Sequence, residues 1–520
     1  MKRKIKIVTN GKTEERKINY IPVRYIFAIL FTLVETLMVV GVVFLLAYYV
    51  KYFYIALYIT VIVVVITIVV KNENPDYKVP WILFVIGLPI VGVMLYFMYN
   101  KRVLPKKIIK KLNSYKHSVP HDDQKNFEEL KEEKPYLASQ ANNLCKISDT
   151  HLYKGSNLKY YSIGEKMFKD MLEDLKGAKK FIFLEYFIME EGIFWNNILE
   201  ILKEKASIGV EVKVLYDDIG CMSTLPGNYY KELRKYNIDA IPFSKLKGQA
   251  DGEFNNRSHR KILVIDGVIC YTGGVNIADE YINEIEVYGH WKDTGIRFTG
   301  DAVNEYTKLF LVDFYLNIKK EQEVDFNKYY IKSNITGSNY LVPFGDGPNP
   351  IYEKNVCKIS IMNLINQAVN YVYITSPYLI VDNEMMRCIE NAALRGVDVR
   401  LIVPHIPDKK IVFEQTKAYY KVLMKSNVLV YEYTPGFIHA KSYIADDEVG
   451  IIGTMNLDYR SLTHHFENGV WVNDQKFIKE MKDDFLETME KSRKMNGVKQ
   501  KTNLIKKIFG SIVRIFSPLL

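Results

Sequence analysis

Two short segments of the chain share one arrangement of histidine, lysine, aspartate and asparagine. In each segment a lysine follows the histidine by two residues, an aspartate by seven and an asparagine by seventeen. The first copy consists of His259, Lys261, Asp266 and Asn276, and the second consists of His439, Lys441, Asp446 and Asn456. Because the sequence around them has otherwise diverged, three matched spacings indicate a duplicated functional element.

The spacing also predicts how these side chains are presented. Residues two apart on a β-strand point to the same face, so each histidine shares a face with its lysine. Asp266-Gly267 is a dipeptide typical of hairpin turns, and the returning strand leads to Gly273-Gly274 and Asn276. Each asparagine is therefore expected beside its own histidine and lysine. Two such lobes face to face would form one pocket with two imidazoles, two ammonium groups and two amides.

Such a pocket suits phosphodiester chemistry. One neutral imidazole can attack phosphorus to form a phosphohistidine, and the other can give a proton to the leaving alcohol. Lysine and asparagine donors would stabilise the charge on the five-coordinate phosphorus. The chemistry requires no cofactor, and the ammonium groups oppose a metal ion. Asp266 and Asp446 complete the two motifs, and their turn position favours a structural role over direct chemistry.

The elements that carry these motifs alternate between strands and helices. Segments 181–187 and 210–216 read as strands around a helix at 196–205, and 371–374, 383–394 and 397–403 repeat the order. Gly209-Val-Glu-Val-Lys-Val matches Gly396-Val-Asp-Val-Arg-Leu, so the repeat period is near 180–190 residues. The pattern predicts an α/β fold with two similar lobes, at 156–325 and 326–500.

An N-terminal membrane region precedes the lobes. Within residues 1–100, the apolar stretches 25–50, 52–70 and 79–99 are each long enough to cross a bilayer, which takes roughly 20 residues. Pro80, Gly87, Pro89 and Gly92 interrupt the third stretch, which is therefore expected to lie in the interface or to re-enter. Basic residues flank both ends of the region, so we expect two crossings and a cytoplasmic catalytic part. Segment 101–155 is interpreted as a connection, and 501–520 as a basic amphipathic helix.

Charge is concentrated next to the membrane region. Residues 1–120 carry 18 Lys and Arg against 5 Asp and Glu, whereas the other 400 residues carry 52 against 55. This distribution favours contact with anionic lipid and argues against a nucleic-acid partner. The five cysteines form no C-x-x-C pair, so neither a disulfide framework nor a zinc site is indicated.

The motifs resemble those of the phospholipase D superfamily and, within it, bacterial cardiolipin synthases. The matching segments are Asn256-Arg-Ser-His-Arg-Lys-Ile, Phe437-Ile-His-Ala-Lys-Ser, Gly453-Thr-Met-Asn-Leu-Asp-Tyr-Arg-Ser, Phe466-Glu-Asn and Trp291-Lys-Asp-Thr. The likeness extends over roughly residues 75–520. It implies two α/β/α lobes in one catalytic unit, a multi-pass bacterial membrane enzyme, and the joining of two phosphatidylglycerols with release of glycerol.

The resemblance also implies individual roles. It makes His259 the nucleophile and His439 the acid and base. Glu467, 28 residues after His439, matches the acidic residue that orients an imidazole in this family, and Asp293 is the corresponding candidate for His259. The family often has a histidine where this chain has Gly295, which puts any role of that position in doubt. Asp217 and Asp218 are interpreted as capping a strand end.

Three other functions remain open at this stage. A membrane-bound phospholipase D would share the phosphohistidine but pass the phosphatidyl group to water. A nuclease would share the motifs, but the slightly acidic catalytic part opposes it. A lipid-binding scaffold would not need both motifs intact.

Overall fold

The computed structural model describes residues 2–9, 12–19, 23–49, 52–99, 106–115, 118–245, 256–318, 322–498, 514–515 and 517. The predicted C-terminal helix at 501–520 therefore lies almost entirely outside the described residues. In chain order, the part before the lobes contains β1 Lys2–Thr9, β2 Lys12–Asn19, α1 Val23–Tyr49, α2 Phe53–Val70, α3 Pro75–Gly87, α4 Pro89–Tyr99, α5 Lys106–Ser114, α6 Gln124–Glu133 and α7 Pro135–Ser148.

One helix in the described part of the membrane region, α2, is long and apolar enough to cross a bilayer by length and composition. Shorter apolar helical stretches cover Ile29–Leu45 within α1 and Pro89–Met98 within α4. The hairpin β1–β2 precedes these helices and pairs antiparallel with residues 285 and 286 of the first lobe.

The third apolar stretch forms two short helices instead of one long helix. At 1.5 Å per residue, the 13 residues of α3 and the 11 of α4 reach about 20 Å and about 16 Å, less than the roughly 30 Å hydrocarbon core. The two helices pack so closely that a Cβ on Gly92 would lie 2.3 Å from the carbonyl oxygen of Phe84. Trp81 and Tyr96 pack edge to face across the pair, with ring centroids 5.6 Å apart.

The first lobe is built on a seven-stranded mixed sheet in the order β4-β12-β9-β8-β5-β6-β7. Its parallel strands β5 and β6 are buried on both faces, as expected for strands covered on both sides. The strand β3 Tyr153–Lys154 belongs to the sheet of the second lobe. In chain order the elements of the first lobe are β4 Leu158–Tyr161, α8 Gly164–Lys176, β5 Phe181–Tyr186, α9 Ile193–Ser207, β6 Glu211–Asp217, α10 Tyr229–Arg234, β7 Ile238–Phe243, β8 Lys261–Ile265, β9 Ile269–Gly273, β10 Ile285–Glu286, β11 His290–Lys292, β12 Gly295–Thr299 and α11 Val303–Asn317.

The second lobe is built on a nine-stranded sheet in the order β23-β17-β16-β14-β19-β20-β22-β13-β3. The run β17-β16-β14-β19-β20-β22 repeats the first lobe's β7-β6-β5-β8-β9-β12, which confirms the predicted two-lobed α/β fold. Its elements are β13 Tyr340–Asp346, α12 Val356–Gln367, β14 Tyr371–Thr375, β15 Leu379–Ile380, α13 Asn383–Leu394, β16 Asp398–Pro404, α14 Lys410–Met424, β17 Leu429–Tyr433, β18 Gly436–Ile438, β19 Ser442–Ala445, β20 Val449–Gly453, β21 Leu457–Asp458, α15 Tyr459–Thr463, β22 Glu467–Asn473, α16 Gln475–Glu490 and β23 Ser492–Lys494.

The two lobes share a hydrophobic core. Val264 of β8, Phe310 of α11, Ile444 of β19 and Phe485 of α16 all belong to this one buried cluster. The lobes are therefore a single packed unit and not two domains joined by a linker. The motif-bearing hairpins β8–β9 and β19–β20 both border this shared core.

Segment 101–155 does more than connect the membrane region to the lobes. Leu137 and Leu144 of α7 are buried in the outer core of the second lobe, and Gln140 accepts a hydrogen bond from the indole of Trp471 at 3.0 Å. The strand β3, at the end of the segment, pairs with β13. The second lobe thus uses chain from both sides of the first.

Candidate active site

Backbone pairing between the lobes brings the two histidines into one site. Ser258 forms a β-bridge with Phe466, and the His259 amide donates to the carbonyl of Phe466 at 2.8 Å. On the other side β11 pairs parallel with β18, and the His439 amide donates to the carbonyl of Lys292 at 2.7 Å. Each histidine is therefore fixed through its backbone to a strand of the opposite lobe.

Each imidazole is bonded to an acid from the opposite lobe. Nδ1 of His259 lies 2.9 Å from Oε2 of Glu467, and Nδ1 of His439 lies 2.7 Å from Oδ2 of Asp293. The predicted pairing of Asp293 with His259 and of Glu467 with His439 is wrong. The reason is the interlobe pairing described above. Each acid follows directly the residue whose carbonyl binds the other lobe's histidine.

Both carboxylates are fully buried and strongly held. The Thr454 hydroxyl also donates to Glu467, and the Thr294 amide donates to Asp293 at 2.8 Å. Burial favours a raised pKa at both acids, but the attached imidazole outweighs it and lowers the pKa of each below its ordinary value. Both acids are therefore ionised carboxylates that accept a hydrogen bond from Nδ1–H, which leaves Nε2 of each ring for chemistry.

The two imidazoles are neutral in the free site. Burial lowers the pKa of His259 to about 3, against the opposing effect of Glu467. Burial and the Lys441 ammonium lower the pKa of His439 to about 4. A neutral His259 is ready to act as a nucleophile. His439 must gain a proton before it can act as an acid, and an anionic phosphate in the site favours that gain.

The two lysines line the same site. Lys261 Nζ donates to the carbonyl of His259 at 2.7 Å, and Lys441 Nζ donates to the carbonyl of His439. Burial lowers the pKa of Lys261 to about 7 and that of Lys441 to about 8. Because an ammonium has three donor protons, each lysine keeps donors for a phosphate.

The two motif aspartates lie at the turn and cap backbone groups. Asp266 accepts hydrogen bonds from the amides of residues 179–181, and Asp446 accepts them from those of residues 369–371. Both have positive φ, at 56° and 57°. Each carboxylate thereby ties the hairpin turn to the start of the neighbouring parallel strand, at the sheet edge away from the histidines.

The two asparagines have different surroundings. Asn276 accepts a hydrogen bond from the Ile188 amide at 3.1 Å and donates one to the Tyr281 hydroxyl at 2.7 Å. Tyr281 in turn packs edge to face on His439, with ring centroids 5.4 Å apart. Oδ1 of Asn456 is buried without a partner in the described part of the chain.

Sequence reasoning missed a buried network behind the first motif. Arg257 forms an ion pair with Asp217 at 3.0 Å, and Asp217 also accepts from the amides of Ser258 and Gly220. Asp217 thus caps a strand end, as predicted, and also fixes the motif. Arg260 pairs with Asp313 and donates to the carbonyl of Glu467 at 3.1 Å. The two arginines flanking Ser258-His259 were the available signal.

A third histidine also reaches the site. Nδ1 of His465 lies 3.6 Å from Oε1 of Glu467, and its ring centroid lies 5.7 Å from that of His259. Within the described ranges, His259, His465 and Glu467 form the one cluster whose ligand atoms lie within 4.8 Å of one another, close enough for a metal ion. A cation there would displace the hydrogen bond that holds His259 and would be repelled by Lys261, so we assign no step to it.

The fold and the site define a class, the two-lobed phospholipase D-like proteins with one His-x-Lys-x4-Asp motif in each lobe. The family model described as cardiolipin synthase, PLD-like domain, matches residues 171–308 and 361–489, one match in each lobe. A second model, described as phospholipase D-nuclease N-terminal, matches residues 56–98.

Proteins of similar sequence identify the family within this class. A cardiolipin synthase of Alkalihalophilus pseudofirmus is 31% identical over 460 residues, 86% of this chain and 90% of its own. A cardiolipin synthase of Staphylococcus aureus strain Mu50 is 31% identical over 470 residues, covering 85% and 90%. An uncharacterized protein of Streptococcus mutans is 40% identical over 450 residues, covering 85% and 96%. The chain belongs to the cardiolipin synthase family, and the predicted class of phosphatidyltransferase is confirmed.

A solved structure agrees in fold. The phosphatidylserine synthase of Haemophilus influenzae superposes with a TM-score of 0.55 at 15% identity, covering 74% of this chain and all of the other. At this identity the likeness supports the two-lobed fold and nothing finer.

Proposed function

We propose that the protein transfers a phosphatidyl group from one phosphatidylglycerol to another through a phosphohistidine. The observation that carries the proposal is the pair of buried imidazoles, each bonded through Nδ1 to a carboxylate of the opposite lobe and each beside a lysine. This arrangement supplies one nucleophile, one acid and base, and two cations for a phosphodiester.

In the first step, Nε2 of His259 attacks phosphorus and the bond from phosphorus to the glycerol head group breaks. His439, protonated in the presence of the phosphate, gives its proton to the departing glycerol oxygen. Glu467 stabilises the positive charge that develops on His259. The products of this step are free glycerol and a phosphatidyl group on His259.

In the second step, the hydroxyl of another phosphatidylglycerol gives its proton to His439, and its oxygen attacks phosphorus. The phosphorus–nitrogen bond breaks, so cardiolipin leaves and His259 returns to its neutral form. The two steps exchange one phosphodiester for another, so no cofactor or external energy source is consumed. Lys261 and Lys441 bind the phosphate oxygens in both steps.

The remaining motif residues support this chemistry. Asn456, whose buried amide oxygen has no partner among the described residues, is the better candidate for a direct phosphate contact, with its amide nitrogen as the donor. Asn276 positions Tyr281 against His439. Asp266 and Asp446 hold the hairpin turns and take no part in bond making.

We further infer a multi-pass membrane protein with two crossings and a cytoplasmic catalytic unit. The hairpin β1–β2 pairs with the first lobe, and Asn74, just before α3, donates to Asp382 of the second lobe at 2.7 Å. Between these contacts lie α1 and α2, which lead out and back. The short helices α3 and α4 favour a re-entrant hairpin. The basic residues at both flanks favour the cytoplasmic side.

The test is the lipid product of purified full-length protein in phosphatidylglycerol micelles, read by mass spectrometry. Cardiolipin and free glycerol in equal amounts, both lost in His259→Ala and His439→Ala, support transfer. The matched control is His151→Ala, which removes another histidine bonded to a buried glutamate, 2.9 Å from Glu305, outside both motifs. Phosphatidic acid without cardiolipin would instead identify a membrane-bound phospholipase D.

A further inference from the structure

An exposed apolar and basic patch lies in the second lobe where β16 gives way to α14. Ile406 is 36% exposed and Ile411 is 60% exposed, and Lys409 and Lys410 between them are also exposed. We name residues 406–411 the rim segment. None of these side chains has a part in the phosphate chemistry proposed above.

The rim segment reaches the active site through Tyr288, whose ring centroid lies 6.4 Å from that of Trp291, and the Trp291 ring lies 5.7 Å from that of His439. Asp408, in its middle, accepts a hydrogen bond from the Tyr378 hydroxyl at 2.6 Å, and its carbonyl accepts one from Tyr288 at 3.4 Å. The Lys409 ammonium lies 5.6 Å from the ring centroid of Tyr378. Topology explains the position, because the segment follows the carboxyl end of the parallel strand β16, and ligands of such sheets bind at that edge.

The membrane region attaches at the same edge. The Asp76 carboxylate of α3 accepts from the Asn383 amide at 2.8 Å, at the first turn of α13, and from the Tyr459 hydroxyl at 3.2 Å. Tyr77 is hydrogen-bonded to Thr463 at 2.5 Å. Both α13 and α15 follow short strands, β15 and β21, which pair with each other just beyond the carboxyl end of β14. The helix that leaves for the bilayer therefore begins on the side of the lobe that carries the rim segment.

We propose that the rim segment rests on an anionic lipid surface and leads phospholipid head groups into the site. The proposal rests on the lipid activity proposed above and names the surface that serves it. Ile406 and Ile411 would enter the interface between head groups and acyl chains, and Lys409 and Lys410 would contact lipid phosphates. A protein partner would not need the patch to be continuous with both the membrane attachment and the pocket.

The test places a fluorescent probe on the patch of the full-length protein in vesicles. All five native cysteines are buried, so Ile411→Cys supplies one accessible thiol for an environment-sensitive dye. The matched control is Val369→Cys, which is 75% exposed and lies before β14, at the opposite edge of the same sheet. Vesicles of phosphatidylglycerol and phosphatidylcholine are compared with vesicles of phosphatidylcholine alone.

In the anionic vesicles, the dye at position 411 should shift to the blue and be quenched by nitroxide-labelled lipids, whereas the dye at 369 should stay water-like. The difference should shrink in phosphatidylcholine alone and in high salt. Equal, water-like signals at both positions would overturn the proposal. A blue-shifted 411 signal that nitroxide lipids do not quench would also overturn it, in favour of a protein partner.

An activity measurement separates this proposal from the proposed reaction. The double variant Lys409→Ser, Lys410→Ser should make cardiolipin about 30-fold more slowly in anionic vesicles, because each lysine contact with the surface contributes about 1 kcal/mol. It should match the parent on short-chain phosphatidylglycerol that is dispersed as monomers. Equal losses on both substrates would contradict the proposal. If no substrate yields cardiolipin, the proposed reaction fails, and the fluorescence comparison still decides the surface.

Discussion

Because each histidine is bonded to an acid of the other lobe, replacing Glu467 should affect His259 and not His439. Glu467→Gln removes the charge that holds Nδ1–H of His259 at 2.9 Å and keeps a side chain of similar shape. A hydrogen bond to a charged group contributes about 1.5–3 kcal/mol, and about 1.4 kcal/mol corresponds to a tenfold change in rate. Attack by His259 should therefore slow by about 10- to 100-fold, and by more if the imidazole takes the wrong tautomer.

The assay isolates this step with a phosphatidyl ester of p-nitrophenol. Its leaving group needs no general acid, so the initial burst of nitrophenolate reports formation of the phosphohistidine alone. His259→Ala should abolish the burst, and Glu467→Gln should slow it. Asp293→Asn, which affects His439, should leave the burst rate nearly unchanged and slow the later transfer to an alcohol.

The refuting result does not depend on which histidine attacks. Whichever of His259→Ala and His439→Ala abolishes the burst, the acid whose replacement slows it should belong to the opposite lobe. If the loss of Glu467 mimicked the loss of His439 and the loss of Asp293 mimicked that of His259, the pairing across the lobes would be wrong.

Three further predictions concern charge and stability. The value of kcat/KM should fall as pH rises through about 7 to 8, because Lys261 and Lys441 then lose the protons that attract phosphate. A pH–rate profile flat over that range would contradict the assigned roles. Asp266→Ala should lower the free energy of unfolding by about 1–3 kcal/mol, since three backbone amides lose their acceptor, while the activity of the folded fraction persists. Thermal unfolding measures the loss of stability, and the burst amplitude measures the activity of the folded fraction. Asp313→Asn should destabilise the fold by about 3–5 kcal/mol, because it leaves the Arg260 guanidinium buried without its carboxylate. Denaturant unfolding measures this loss of stability, and the m-value should stay unchanged.

Much of the fold could be read from local patterns. The predicted strands at 181–187 and 371–374 and the helix at 383–394 agree with β5, β14 and α13 within a residue or two. Such segments can be predicted because continuous apolar runs and turn residues set the local secondary structure through a few neighbouring residues. The Asp266-Gly267 hairpin was predictable for the same reason, since the turn conformation depends on the dipeptide itself.

The sequence predicted only part of the structure of segment 79–99. Pro80, Pro89 and two glycines predicted an interruption, and the break falls between α3 and α4. No local pattern indicated that α3 begins with polar contacts to α13 and α15, because those partners lie 307 and 386 residues away. The role of α7 in the second lobe's core was hidden for the same reason.

The sequence by itself determined which groups the site contains. Two histidines and two lysines at matched spacings suffice to predict phosphodiester chemistry, because those properties belong to the side chains. Tertiary structure decided which acid serves which histidine. The residues just before Glu467 and Asp293 pair with the opposite lobe, and a hydrogen bond of 2.7–2.9 Å depends on that pairing and not on separation along the chain. Burial between the lobes also set the low pKa values of both imidazoles.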